Sequence, residues 1–403
     1  MTETGYDAAA IGNAAAQLSR APEQPADHWA VLRASRQIAA GAAAPGGRNA
    51  YHVTRWDDVD TVLRDSETFS SSINAEGVGR FMGPIMIALD GQEHRAHRAL
   101  VAHAFRASQL VKWEQTLIVP TIMGLIDRVV SQGHAELIAD VVSKFPARII
   151  CGIADLPQDD ADQLLLWTYD IHRGMLDPDA GMAAAQALRD YLEPFVERRR
   201  LEPGSDLISD ILMAELDGQK LSDEEVYGFL RLLLPAGSES TYRLMANVLL
   251  QLLTRPELMA RVRTDRDLLP VVIEETLRRH PSLSLVSRVA ALDTQLGGCP
   301  IPAGAALNVF IASANLDESR HGDPTAFDPD RPSHRHLSFG IGQHQCLGMH
   351  LARMEVRIGI SAILDRLADL RLDPDLPAPA IEGYAFRAPK ALHVRFTPQP
   401  RTS

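Results

Sequence analysis

The run His336-Leu337-Ser338-Phe339-Gly340-Ile341-Gly342-Gln343-His344-Gln345-Cys346-Leu347-Gly348 is where residue types and spacing speak most directly of chemistry. Gly340 and Gly342 permit a tight, hairpin-like loop with positive φ where the turn needs it. Cys346 stands where an apolar-periodic helix begins, so backbone N–H groups and the positive end of the helix dipole would stabilise an anionic sulfur. Gly348, in the first turn, has no side chain and leaves room for a flat, bulky ligand against the backbone. Phe339 can shield the sulfur from water. As an axial ligand, such a thiolate donates electron density to iron. A lone cysteine is usually just a small buried residue; the other fixed positions around Cys346 set it apart.

The other two cysteines lack such surroundings. Cys151 lies in the apolar run Ile149-Ile150-Cys151-Gly152-Ile153 and Cys299 in a Gly-Gly-Cys-Pro turn, and both read as non-functional. Without a C-x-x-C pair, three scattered cysteines exclude a disulfide framework and a Cys-rich zinc site. The chain has 403 residues, 46% hydrophobic and 23% charged, enough to bury a sizeable core. Its net charge of −12 argues against general nucleic-acid binding. Lysine occurs only at 112, 144, 220 and 390, and the arginines are spread along the chain rather than gathered in a patch. Residues 1–20 are Ala-rich and carry acids, unlike a signal peptide. No apolar run approaches the ~18 residues that would span a bilayer. The expectation is a soluble, cytoplasmic protein without a membrane anchor.

The elements that must position Cys346 are mostly helical. Apolar periodicity predicts helices over 57–66, 92–106, 112–132, 158–173, 181–200, 222–253, 256–264, 267–280 and 347–368. Strand-like runs at 50–54, 285–290, 306–310 and 391–397 are too few and too short for a strand-alternating fold. The expected class is mainly α with small β-sheets. The first 50 or so residues read as partly irregular, with joints at Pro22–Pro25 and Ala43–Arg48. Ser222 and Glu225 form a capping box that starts a helix of about 30 residues, ~45 Å long. Pro235 cannot donate to the Arg231 carbonyl, so a kink is expected near Ala236-Gly237. The polar run Ser238-Glu239-Ser240-Thr241 follows at once and makes little sense against a dry core.

Phe339-Gly340-x-Gly342-x-His344-x-Cys346-x-Gly348 resembles the haem-binding loop of the cytochrome P450 family, soluble bacterial type, and matches it at each fixed position. The resemblance spans about Tyr51 to Phe396. It implies one domain over 1–403, a helical triangular prism around a buried haem b whose iron is held by Cys346. Phe339, Gly340, Gly348, Ala236 and Gly237 would lie along the cofactor. The family's Glu-x-x-Arg motif is matched by Glu275 and Arg278, and Arg331 in Phe327-Asp328-Pro329-Asp330-Arg331-Pro332 completes a structural network. Haem propionates need cationic or hydrogen-bonding partners. By resemblance these are His94 and Arg98, spaced i, i+4, with Arg288 and His336. Arg95 and His97 nearby read as surface charge. In Ala236-Gly237-Ser238-Glu239-Ser240, the glycine would open a groove for oxygen, with Glu239 and Ser240 relaying protons. Ser240 departs from the family's usual threonine, and Thr241 can share the task.

The implied reaction is monooxygenation: O2, two electrons and two protons yield an oxygenated substrate and water. The electrons would come from a small iron–sulfur ferredoxin and its reductase. Arg335, Arg353, Arg106 and Lys112 are candidates for a basic docking face. The substrate pocket is expected from 71–89, the kinked helix, 283–287 and 384–386, which supply Met82, Ile85, Met86, Leu232, Ala236, Leu285, Val286 and Phe386. That lining suits a small or medium-sized hydrophobic molecule. Arg80 reads as a solvated loop residue. Two other readings stand beside this one: peroxide-driven oxidation or oxidative coupling at the same haem-thiolate, and a non-enzymatic haem sensor. The acid–alcohol pair speaks against the sensor, which needs no proton delivery.

Overall fold

The computed structural model describes residues 25–35, 38–43, 49–174, 177–215 and 218–401. The irregular N-terminal segment expected from the sequence lies largely outside these residues. Helices dominate. In chain order the main ones are α1 (Pro25–Ala34), α2 (Trp56–Arg64), α3 (Gly91–Ala102), α4 (Ala107–Trp113), α5 (Val119–Asp127), α6 (Lys144–Ile153), α7 (Ala161–Arg173), α8 (Pro178–Leu201), α9 (Asp223–Leu253), α10 (Pro256–Thr264), α11 (Leu268–Arg279) and α12 (Met349–Arg366).

The strands are short: β1 (Ala39–Ala43), β2 (Asn49–Val53), β3 (Phe69–Ser70), β4 (His134–Glu136), β5 (Val286–Ala290), β6 (Thr294–Leu296), β7 (Cys299–Ile301), β8 (Ala306–Val309), β9 (Ala368–Leu372) and β10 (His393–Thr397). They form a five-stranded sheet in the order β1-β2-β8-β5-β3, a three-stranded sheet β4-β10-β9 and the hairpin β6-β7. β2 runs parallel to β8, and β5 pairs antiparallel with it, Arg288 opposite Leu307.

α9 is the axis of the fold. Ser222 Oγ accepts the Glu225 N–H, and Glu225 Oε2 accepts the Ser222 N–H, so both capping-box bonds are present. The helix packs against α6, α7, α8, α10, α11 and α12. Apolar residues from all of these join one large core. α9 continues through Pro235 as a single helix of 31 residues, the span expected from the sequence. Burial on most of its faces holds the turn that the missing Pro235 N–H weakens.

Elsewhere a proline does break the pattern. The single helix expected over 112–132 is instead α4, a π-helical stretch at Glu114–Ile118, and α5. Pro120, in the first turn of α5, cannot donate back along the helix, and the wider turn takes up that fault.

Candidate haem site

The loop before α12 has the shape its residues require. Gly340 and Gly342 both take positive φ, 66° and 77°. A Cβ on Gly342 would stand 2.7 Å from the Leu63 carbonyl oxygen, so only glycine lets the loop lie this close to α2. The Cys346 N–H donates to the Phe339 carbonyl at 2.8 Å and closes the turn. Cys346 sits three residues before Met349, where α12 begins. Its side chain is open to solvent, and a Cβ on Gly348 would meet nothing within 4 Å. Surrounding protein still pushes the thiol up, while the Gly348 N–H, Arg98 and Arg353 act against that shift. Coordination to a metal releases such a proton outright.

Basic and polar groups stand unmatched around this loop. His94 is buried on α3, its Nδ1 without a hydrogen-bond partner among the described residues. Burial, with the nearby His344 and Arg98, pulls its imidazole down to about 4. Its ring centroid lies 4.1 Å from that of His344. Arg98 and Arg288 make no ion pair with a carboxylate among the described residues. Burial lowers both, Arg288 to about 10. Among the described residues Arg288 donates only to the carbonyl of its neighbour Ser287. A buried cation such as Arg288 is costly without an anion, and two carboxylates of a flat cofactor would answer it and the partly buried Arg98. The residues therefore fit haem.

Asp90, which the sequence analysis did not single out, ties this region together. Its carboxylate accepts from Ser70 Oγ (2.7 Å), the Ser71 N–H (2.8 Å), Gln343 Nε2 (3.0 Å) and His344 Nε2 (3.1 Å). Burial works to raise this carboxyl, and the bonds from His344, Ser70 and Ser71 hold it below the usual range. No local pattern reveals a carboxylate whose partners are 19 and 254 residues apart from it.

His336 is placed differently from the expectation. Its Nε2 lies 3.1 Å from Glu274 Oε2, and its Nδ1 accepts the Ser338 N–H at 3.1 Å. Both ring nitrogens thus face protein groups rather than an open anion site.

The structural network is assembled. Glu275 and Arg278 pair through two bonds of 2.8 Å with both side chains fully buried. Arg331 Nε donates to Glu275 Oε1 at 3.4 Å, and the Asp328 N–H donates to the same oxygen at 2.9 Å. Arg278 also donates to the carbonyls of Asn315, Pro324 and Ala326. α11 is in this way stitched to the segment that leads into the cysteine loop.

On α9, Ala236 is exposed amid buried neighbours and Ser240 is partly exposed. Ser240 Oγ donates to the Ala236 carbonyl at 3.1 Å. Thr241 is buried. Gly237 does not open a groove by its missing side chain: a Cβ there would lie 2.3 Å from Ile150 Cδ1. The glycine serves the close approach of α6 to α9. Glu239 is buried and turned from Ser240. Its Oε1 accepts from Arg243 at 2.8 Å, and its Oε2 lies 3.4 Å from His172 Nδ1 on α7. Desolvation lowers His172, with Glu239 opposing.

The expected pocket residues divide. Met82 and Ile85 are fully buried in the main core, where Arg231 donates to the Met82 carbonyl at 2.9 Å. They pack the segment against α9 instead of lining an opening. Leu285 packs on the Trp29, Leu32 and Phe310 cluster, and Val286 on the cluster containing Val53 and Phe69. Met86 and Leu232 are partly buried against the main core. Phe386, partly exposed, stands 5.9 Å from the His172 ring and beneath Arg243. The pairing of Leu283 with Phe386 joins two of the expected pocket segments.

Of the proposed docking cations, Arg353 is forked onto Glu274 by bonds of 2.7 and 2.9 Å. Arg335 lies over Trp56, and Arg106 contacts His103. Lys112 is exposed. Cys151 is fully buried and its thiol pushed up to about 12 by that burial. Among the described residues no helix is long and apolar enough to cross a membrane.

Comparison with known proteins gives the family. The family model described as cytochrome P450 matches residues 162–381. Cytochrome P450 109 of Bacillus spizizenii is 34% identical over 87% of this chain and 87% of its own length. Erythromycin C-12 hydroxylase of Saccharopolyspora erythraea is 35% identical over 81% of this chain and 84% of its own. Steroid C26-monooxygenase of Mycolicibacterium smegmatis is 33% identical, covering 86% and 87%. Among solved structures, cytochrome P450 CYP109Q5 from Chondromyces apiculatus superposes with a TM-score of 0.83 at 32% identity, covering 94% of this chain and 96% of its own. A cysteine poised before a helix, arginines at 98 and 288 without a carboxylate partner among the described residues, and relatives that span most of its length lead to one conclusion: the chain belongs to the cytochrome P450 family and is a monooxygenase whose cofactor is haem b on a cysteine thiolate.

Proposed function

We propose that this chain, as one domain, inserts one oxygen atom of O2 into a small or medium-sized hydrophobic substrate, with electrons from an iron–sulfur ferredoxin and its reductase. The observation that carries the reading is the setting of Cys346: a solvent-open thiol in a glycine-shaped loop, with Arg98 close enough to act on it. Bound haem supplies the oxygen chemistry. The protein's part is to hold and orient it. Cys346 Sγ is the iron ligand, and His94, Arg98 and Arg288 meet the propionates. Asp90 orients His344 beside them. His336 serves the loop through Glu274 instead.

Ser240 Oγ donates to the carbonyl of the exposed Ala236, and a hydroxyl can pass on a proton while accepting another. Glu239 is the acid that resupplies it. Glu239 is bonded to Arg243, with His172 Nδ1 3.4 Å from its other oxygen, so delivery requires the carboxylate to leave Arg243. The substrate meets Ala236, Leu232 and Phe386, with Met86 at the edge. Relatives named for a steroid and for erythromycin make multi-ring and macrocyclic compounds the first to try.

A second reading, peroxide-driven oxidation, draws on that same placement of Glu239, which makes no bond to Ser240. Turnover that needs peroxide and ignores ferredoxin would favour it. The primary test is spectroscopic. The reduced carbon-monoxide complex should show the red-shifted band of a thiolate ligand, and Cys346→Ala should lose it. An unchanged band in that variant overturns the assignment. A spectral-shift screen of apolar compounds on the same preparation then reports which ones displace iron-bound water.

A further inference from the structure

Glu274 stands beside Glu275 on α11 but serves a different set of partners. Its carboxylate takes Arg353 Nε at 2.7 Å, Arg353 Nη2 at 2.9 Å and His336 Nε2 at 3.1 Å. These bonds hold the carboxyl down at about 2, against the desolvation that would raise it. It is therefore a full negative charge at neutral pH. The Arg353 guanidinium lies 4.4 Å from the centre of the Phe339 ring. The Phe339 carbonyl in turn accepts the Cys346 N–H. One aromatic ring thus separates a forked ion pair from the loop that carries the sulfur, and the charge of Arg353 acts on the Cys346 thiol.

We propose that Glu274 is a positioning residue that fixes Arg353 over Phe339 and offsets its charge, and so sets the potential at which the iron on Cys346 accepts an electron. The proposal rests on Cys346 being the iron ligand. Its logic is electrostatic. A cation near the iron favours the state with one more electron, and an anion disfavours it. A bidentate Arg–carboxylate pair presents both charges at fixed distance and largely cancels them. The side chains are about one-third exposed, 32% for Arg353 and 30% for Glu274, so solvent damps the effect without removing it. Removing the carboxylate alone leaves an uncompensated cation; removing the guanidinium alone leaves an uncompensated anion.

The signs follow and can be read by spectroelectrochemical titration of the haem-loaded protein. Glu274→Gln should move the potential to more positive values, and Arg353→Gln to more negative values. The double variant should return close to wild type. Glu274→Asp keeps the charge and should stay near wild type as well. Arg261→Gln, which breaks the exposed pair with Asp330 far along the chain, is the control. If Glu274→Gln fails to retain haem, the downward shift in Arg353→Gln carries the test. Single variants that both fall within the control's scatter, or Glu274→Asp shifting as far as Glu274→Gln, would overturn the proposal. The carbon-monoxide spectrum of the wild type is recorded on the same samples. Loss of the thiolate band there would defeat the ligand assignment itself, a different failure from unmoved potentials.

Discussion

Glu275 and Arg278 are both fully buried, and each charge is answered in full. The carboxylate holds Arg278 through both oxygens and also takes the Asp328 N–H, while Arg331 approaches from the surface side. Burial alone would raise the Glu275 carboxyl, and these bonds hold it below its ordinary range. Replacing a buried pair wholesale can be harmless, but breaking one partner strands the other. Glu275→Gln should therefore cost about 3–5 kcal/mol. It should appear as a lower urea midpoint with an unchanged slope, together with weaker haem retention, because the Asp328 turn hangs from the same carboxylate. The pair itself was legible in the sequence as an i, i+3 acid and base. Its further partners were not, since the carbonyls of Asn315, Pro324 and Ala326 are backbone groups that carry no residue-type signal. The same holds for Glu274 and Asp90, whose importance lies in partners distant along the chain.

At the level of elements, α9 was the most legible helix, because a capping box, a long apolar run and a Thr-Arg-Pro stop all agree. Which way its glycines face was not legible, since that depends on the neighbours. α6 was missed because its polar stripe is thin: only Lys144 and Arg148 mark it, while Phe145, Pro146, Ala147, Ile149, Ile150, Cys151 and Ile153 are all buried. The glycines on α9 make a graded test. At Gly228 an added Cβ would stand 1.9 Å from the Pro84 carbonyl oxygen. Backbone cannot turn aside, so Gly228→Ala must push the 82–84 segment off the helix. A cost of about 3 kcal/mol or more is expected, at the high end for overpacking. Gly237→Ala meets a side chain instead, Ile150. Rotation relieves part of that clash, and a smaller loss of about 1–2 kcal/mol should result. Thermal unfolding of the two variants side by side checks the order. Equal stability would mean that the 82–84 segment yields as easily as a side chain.

The pH response belongs to the whole molecule, because it adds up groups that folding hides from water. His52 lies on β2, in the large sheet, with its ring edge-on to Phe310 at 5.2 Å. Phe310 also touches Trp29 of α1 and Tyr384, so this ring sits where the sheet, the first helix and the 384 turn meet. His52 is 1% exposed and neither ring nitrogen has a hydrogen-bond partner among the described residues. Burial alone pulls it from 6.5 down to about 4. The unfolded chain then binds the proton first as pH falls, so stability is complete above about 6.5 and drains away toward pH 4. At about 1.4 kcal/mol per pH unit, that interval is worth up to roughly 3 kcal/mol from this one ring. His321 and His280 are lowered by burial in the same sense and steepen the decline. His52→Phe replaces a ring that makes no hydrogen bonds with one that cannot be protonated. Its unfolding free energy should fall less steeply between pH 6.5 and 4 than that of the wild type, and the two should differ little in slope above pH 7. Parallel urea titrations across that range decide it. If both proteins lose stability at the same rate, His52 finds a proton-accepting partner in solution, and the acid sensitivity of the fold lies with the other buried histidines.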